Sequence, residues 1–193
     1  VLLKAGGRVL SYATRGREPL RGFPEFLRAL PPLLETFADL DVVIAGADRR
    51  AYSYDAPSHG GSWKEHGLAE LGTFSGRERV HFTGLLTYPD YRQLLWRSTL
   101  HCYFTRPYAT SWSLFEAASC GARLAVSEGP ATDGIVEPES VLWVNLNDQN
   151  NITQALQQGL EQPRPPARIL PGFELTNSLQ RWEALLNRGL QSS

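Results

Sequence analysis

Six short apolar runs, separated by segments of helical period, constrain this chain more than any other feature of its 193 residues. The runs are Val9–Ala13, Asp41–Gly46, Val80–Gly84, Leu100–Phe104, Leu124–Val126 and Val141–Val144. The second, Asp41-Val42-Val43-Ile44-Ala45-Gly46, is β-branched and apolar throughout after its aspartate, as a strand buried on both faces should be. Between the first two, Phe23, Phe26, Leu27, Leu30, Leu33, Leu34 and Phe37 recur at three and four, which draws one apolar stripe along a helix. Alternation of this kind predicts a parallel sheet wrapped by crossover helices. The expected fold is α/β, a Rossmann-like three-layer sandwich with a parallel sheet of about six strands.

Local signals refine the pattern. Pro31-Pro32 should kink or split the first helix. Residues 47–62 turn polar and read as a long loop carrying Tyr52, Tyr54 and Gly60-Gly61, followed by a short helix over Trp63–Leu71. Thr87 caps a helix with Pro89 in its first turn, and Tyr91, Leu94 and Leu95 bury one face of it. A helix over Ser113–Cys120 closes at Gly121, and Asn147-Asp148 caps another that runs to about Leu160. We therefore expect one domain over residues 1–160. Residues 161–193 would add a Pro-rich linker, Gln162–Pro166, and a closing helix over Asn177–Leu190 packed back on that domain.

Bulk composition excludes several classes. A net charge of −1 leaves no electrostatic footprint for nucleic acid or an anionic membrane. No apolar run reaches the ~18 residues that span a bilayer. Cys102 and Cys120, in a strand and at a helix end, read as small buried hydrophobes of a reducing compartment. His59, His66, His81 and His101 are scattered without metal-ligand spacing, and Asn151-Ile152-Thr153 falls inside a predicted helix. The chain starts at Val1 and contains no methionine, which reads as a domain of a longer product.

Two segments carry chemistry. The first is the loop after the first strand, Thr14-Arg15-Gly16-Arg17-Glu18-Pro19-Leu20-Arg21-Gly22. Loops at the carboxyl ends of parallel strands are where such folds bind anions. Arg15 just past the strand and Arg21 at the mouth of the helix suit a diphosphate, since a guanidinium fork bonds phosphate oxygens bidentately. The plainer reading is a solvated basic loop in which Arg17 and Glu18 pair. The second segment is Phe104 to Gly121, a hydroxyl-rich turn leading into a helix. Either Glu116 completes a capping box with Ser113, or it accepts hydrogen bonds from ribose hydroxyls while the amides of Ser111, Trp112, Ser113 and Leu114 receive phosphate. Trp63-Lys64 could likewise approach the phosphates or simply pack a helix start.

With these parts in order, the chain resembles the C-terminal domain of retaining GT-B glycosyltransferases, of the bacterial group 1, family 4 type. Arg15-Gly16 and Arg21-Gly22 resemble the family's arginine and lysine separated by five residues, with arginine in the lysine's place. Val42–Gly46 resembles its second strand ending in glycine, and Val80–Leu86 the strand-glycine segment whose backbone meets the nucleobase. Leu114–Gly121 resembles its Glu-Ala-hydrophobic-small-small-Gly helix. One departure stands out. The family carries two glutamates separated by seven residues: the second corresponds to Glu116, and the first, the sugar contact, falls where this chain has Tyr108.

The resemblance implies one half of a GT-B fold that binds a nucleoside-diphosphate sugar such as a UDP- or GDP-sugar. Arg15 and Arg21 would be catalytic. Gly16, Gly84, Leu85, Tyr108, Ser111, Trp112, Ser113, Leu114 and Glu116 would bind substrate, with no metal and no cofactor. The acceptor, a glycan or a lipid-linked one, would sit on a separate N-terminal domain. Polysaccharide synthesis in the cytoplasm would follow, with the full-length protein free to attach to the inner face of the membrane. Two rivals remain: an inactive nucleotide-binding scaffold marked by Tyr108, and an epimerase, disfavoured because the sequence pattern shows no His-carboxylate pairing of the kind such chemistry wants.

Overall fold

The computed structural model describes residues 3, 6–52, 61–107, 109–162 and 164–191. The expected strands form a single sheet. They are β1 (Arg8–Gly16), β2 (Leu40–Ala47), β3 (Val80–Gly84), β4 (Leu100–Tyr103), β5 (Leu124–Ser127) and β6 (Val141–Val144). Every pairing is parallel, and the order is β3-β2-β1-β4-β5-β6. Alternate residues therefore feed opposite layers. Leu10 and Tyr12 point into one core and Val9 into the other.

The first layer holds α1 (Phe23–Thr36) and α5 (Gln149–Glu161), with α2 (Trp63–Leu71) beside α1. Phe23, Phe26, Leu30, Leu33, Ile152 and Leu156 are wholly buried there against Leu10, Ile44, Leu100 and Val144. The second layer holds α3 (Tyr88–Arg97) and α4 (Trp112–Ser119), whose Leu95, Leu114 and Ala117 pack on Tyr103, Leu124 and Val126. Burial of this kind contributes about 25 cal/mol per Å² of apolar surface, which makes these two interfaces the main source of stability.

Pro31-Pro32 does not split α1, which runs unbroken from Phe23 to Thr36. Buried side chains on both sides of the prolines, Leu27 and Leu30 before and Leu33 and Leu34 after, hold the helix against the sheet and outweigh two lost N–H donors.

The C-terminal segment also departs from expectation. Residues beyond the linker belong to the domain: Ala167 is buried and donates its N–H to Ala122 O, and Val136 bridges Ile169. The helix that follows, α6 (Leu175–Gln191), does not pack back. Its Leu175, Leu179, Trp182, Leu185 and Leu186 are exposed, and its main neighbour is the turn Pro171–Phe173. Both layers of the sheet are already covered by other helices. Tyr54, His59, Gly60 and Tyr108 lie outside the described residues.

Candidate functional site

A doubly wound sheet has one place where the chain reverses direction across it, and there the loops of two neighbouring strands lead to opposite faces. Here it lies between β1 and β4. A crevice of about 650 Å³ opens at that point, lined by the β1 end (Tyr12 to Arg15), the β4 end (Tyr103, Phe104) and the start of α4. Arg21, Tyr52, Leu85, Tyr88, Tyr91 and Glu116 complete its walls.

Arg21 is held before any ligand arrives. Gly22 follows it in the left-handed region at φ 62°, where a Cβ would press on Phe104 Cβ at 2.9 Å, so the turn Pro19–Arg21 can close tightly against β4. The phenol of buried Tyr12 donates to Arg21 O at 2.7 Å. The guanidinium donates from Nη1 to Thr105 Oγ1 at 2.9 Å and lies 5.0 Å from the Tyr52 ring centre. Tyr52 is itself fixed by Glu18, whose carboxylate accepts from the amides of Ala51 and Tyr52. Arg15, by contrast, is exposed and reaches the crevice from the open side.

The loop is therefore not a solvated basic strip. Arg17 and Glu18 are both buried, and they face different partners. Arg17 donates to Gly46 O at 2.8 Å, approaches Asp48 at 3.6 Å and lies over the Phe82 ring. Burial lowers its pKa, and Asp48 opposes that shift. These two residues brace the floor, and the sequence hid them because neighbours of opposite charge look like a surface pair.

Helix α4 begins at Trp112 and is capped by Ser111, whose Oγ accepts from Ser113 N. Glu116 is thus the fifth helical residue, not the third, and has no part in a capping box. Its carboxylate faces the crevice and makes no hydrogen bond or ion pair among the described residues. Beneath the start of α4, burial raises the pKa of Tyr103, while the Ser111 amide and Arg21 oppose the shift. The Tyr103 Oη accepts the Ser111 N–H at 2.9 Å.

The fold has counterparts among known proteins. Residues 24–170, well over half of the chain, fit the model of the family described as glycosyl transferase-like. The chain belongs to that family. Among solved structures it is similar to the C-terminal domain of a glycosyl transferase group 1 family protein, LpcC, from Francisella tularensis. The TM-score is 0.64 and the identity 14%, over 81% of this chain and 77% of that one. It is also similar to a UDP-forming trehalose-phosphate synthase from Burkholderia xenovorans, with a TM-score of 0.63 and 15% identity over 82% of this chain and 37% of that one. A sucrose-phosphate synthase from Thermosynechococcus elongatus gives 0.59 and 19%, over 83% and 38%. At these identities the likeness is one of fold: the Rossmann-like domain of a GT-B glycosyltransferase. The chain spans well under half the length of the two synthases. No curated protein matches it.

Within this glycosyl transferase-like domain, seven of the expected site residues line the crevice: Arg15, Arg21, Leu85, Ser111, Trp112, Ser113 and Glu116. Three do not. The Leu114 side chain is fully buried in the second core. Gly16 packs against the backbone of Arg49, whose carbonyl oxygen would lie 2.6 Å from an added Cβ. Gly84, at φ 71°, turns the chain so that Leu85 and Leu86 reach the crevice instead. The expected row of free amides is also shortened. Ser111 N–H goes to Tyr103, Ser113 N–H to Ser111 Oγ, and Leu114 N–H to Ser111 O at 3.1 Å. Tyr12, Tyr88, Tyr91 and Tyr103 were not legible as site residues, since aromatics at strand and helix positions read as core, and Tyr52 was hidden in a long polar loop. Lys64 lies over the Phe82 ring rather than among the lining residues.

Proposed function

We propose that this chain is the donor-binding domain of a retaining glycosyltransferase, with a nucleoside-diphosphate sugar in the crevice between β1 and β4. The observation that carries the reading is Arg21, a buried guanidinium fixed by Thr105 and Tyr52 at the sheet's reversal point, with a carboxylate in the same crevice, Glu116, that makes no hydrogen bond among the described residues. The diphosphate sits against Arg21 and Arg15, which neutralise the charge that develops as the glycosidic bond breaks. Fixed donors that need no reorganisation are the most effective ones for this task, and Arg21 is such a donor. Ser111 and Ser113 hydroxyls and the Trp112 amide complete the phosphate contacts. Glu116 accepts from the ribose diol, and Leu85 frames the base. The two guanidiniums supply the positive charge, so the reading calls for neither metal nor cofactor.

The acceptor, a glycan or a lipid-linked one, binds a second domain that closes over the donor. The likeness to synthases more than twice as long supports that arrangement. No described helix is long and apolar enough to cross a membrane, and we place the whole enzyme in bacterial polysaccharide synthesis at or near the cytoplasmic face. The deciding experiment is a thermal-shift panel of UDP-, GDP- and ADP-sugars, because a ligand of the folded state raises its stability by mass action. One nucleotide series should raise Tm in a concentration-dependent way. No shift with any series at millimolar ligand would defeat the assignment.

A further inference from the structure

Tyr91 is the one crevice residue whose side chain holds a buried polar atom with no hydrogen-bond partner among the described residues. It sits in the first half of α3, with its ring packed on the core that contains Leu95, Leu114 and Ala117. The ring meets that of His101 at 6.5 Å and 66°, an edge-to-face contact. Packing therefore fixes the ring and leaves the hydroxyl without an acceptor. A buried hydroxyl in that state is destabilising, so it calls for an explanation. Burial raises its pKa, and among the surrounding charged groups Glu116 reinforces the shift most, ahead of Cys120 and Tyr88. The phenol is a donor that lines the same crevice as the Glu116 carboxylate, which makes no hydrogen bond of its own among the described residues.

The two groups are chemically complementary. An ionised carboxylate only accepts, at about four lone-pair sites, and a phenol can donate one hydrogen bond. A vicinal diol gives its two hydroxyl protons to the carboxylate and leaves further sites open on the same oxygens. We propose that Tyr91 positions Glu116: when the donor's ribose engages the carboxylate, Tyr91 Oη donates to one carboxylate oxygen and fixes the plane of the group. The inference rests on Glu116 as the ribose acceptor. Water scarcely reaches the hydroxyl, so little competes with that bond, and forming it ties α3 to α4 across the crevice. Tyr91 acts through Glu116 and touches neither phosphate nor sugar.

The test is a double-mutant cycle by titration calorimetry on the whole chain, with UDP, GDP and ADP as ligands and inorganic pyrophosphate as the probe without ribose. Tyr91→Phe should weaken the preferred nucleoside diphosphate about tenfold, the effect of one hydrogen bond to a charged group, and leave pyrophosphate unchanged. In a Glu116→Gln background the same substitution should change affinity less than twofold. The substitution removes only an unpaired oxygen, so the ligand-free melting temperature should not fall. A drop in that temperature would overturn the proposal by showing that the hydroxyl has a partner without ligand. Losses that multiply in the double mutant would overturn it too, because Tyr91 would then act without Glu116. If Glu116→Gln weakens binding and Tyr91→Phe does not, the crevice reading stands and the role of Tyr91 falls. If neither matters for any nucleotide, the crevice reading falls and takes this inference with it.

Discussion

Replacing Arg21 with alanine tests the crevice at its most committed residue. Arg21 is only 9% exposed, so solvent screens it little, and its guanidinium is already immobilised by Thr105 and Tyr52. A diphosphate that meets it gains a charge-assisted contact without the cost of ordering a free arginine. Such a contact is worth about 1.5–3 kcal/mol, which predicts a 10- to 150-fold loss of nucleoside-diphosphate affinity. Pyrophosphate should lose as much, since the contact is to phosphate. The effect on folding should be smaller. Thr105 Oγ1 keeps its bond to Arg106 O at 3.1 Å, so no buried hydroxyl is orphaned. The lost bond costs about 1 kcal/mol, a fall in Tm of about 2–4 °C for a chain of this size. Arg21→Lys keeps the charge but neither the fork nor the stack, and should fall between. Exposed Arg15→Ala should sit at the low end of the range and be the more sensitive to salt. Calorimetry on the variants decides. Affinity unchanged for UDP, GDP and ADP alike, with the fold intact, would remove the loop from the site.

Three further outcomes are expected. Glu116→Gln should weaken nucleoside diphosphates about tenfold while sparing pyrophosphate; equal losses by calorimetry would refute the ribose role. Gly46 at φ 129° has no room for a Cβ, which would collide with the Thr14 carbonyl, so Gly46→Ala should cost about 2 kcal/mol or more in urea melts, and wild-type stability would count against the geometry. His101 is held neutral in the core, its Nδ1 2.7 Å from Ser11 Oγ, and burial lowers its pKa from 6.5 to about 4. The unfolded chain takes up a proton that the folded chain refuses. Stability is therefore full above about pH 6.5 and falls towards pH 4, by up to about 3 kcal/mol. Urea midpoints at pH 7 and pH 4.5 measure it, and an identical acid loss in His101→Gln would assign the effect elsewhere.

The strands were legible because each is a short apolar run bounded by polar or glycine-rich turns, and all six fall where the runs lie. Their order was not. Which strand lies beside which depends on pairing across the sheet, and a run such as Leu100–Tyr103 carries no mark of its neighbour β1. The unbroken α1 was missed for a related reason. The rule that proline ends a helix is local, whereas the burial of Phe26, Leu30 and Leu33 against the sheet is tertiary. For α6, an apolar stripe over Leu175, Leu179 and Trp182 speaks of a face that seeks a cover, and says nothing of where that cover lies.

The site divides along the same line. Arg15, Arg21 and Glu116 could be picked out because their charges stand at strand ends and helix starts, where topology alone places ligands. Arg17 could not, although it lies between them. Its burial depends on the Gly46 carbonyl and the Phe82 ring, contributed by two other strands. Three arginines within seven residues thus have three roles: one open to solvent, one bracing β2 and β3, and one held at the reversal point by a strand-end threonine and a loop tyrosine. A basic loop with a single role would show three similarly exposed guanidiniums. The division of labour seen here fits a loop that binds a large anion, because the residue meeting the charge must be fixed, and fixing it requires neighbours that never touch the ligand.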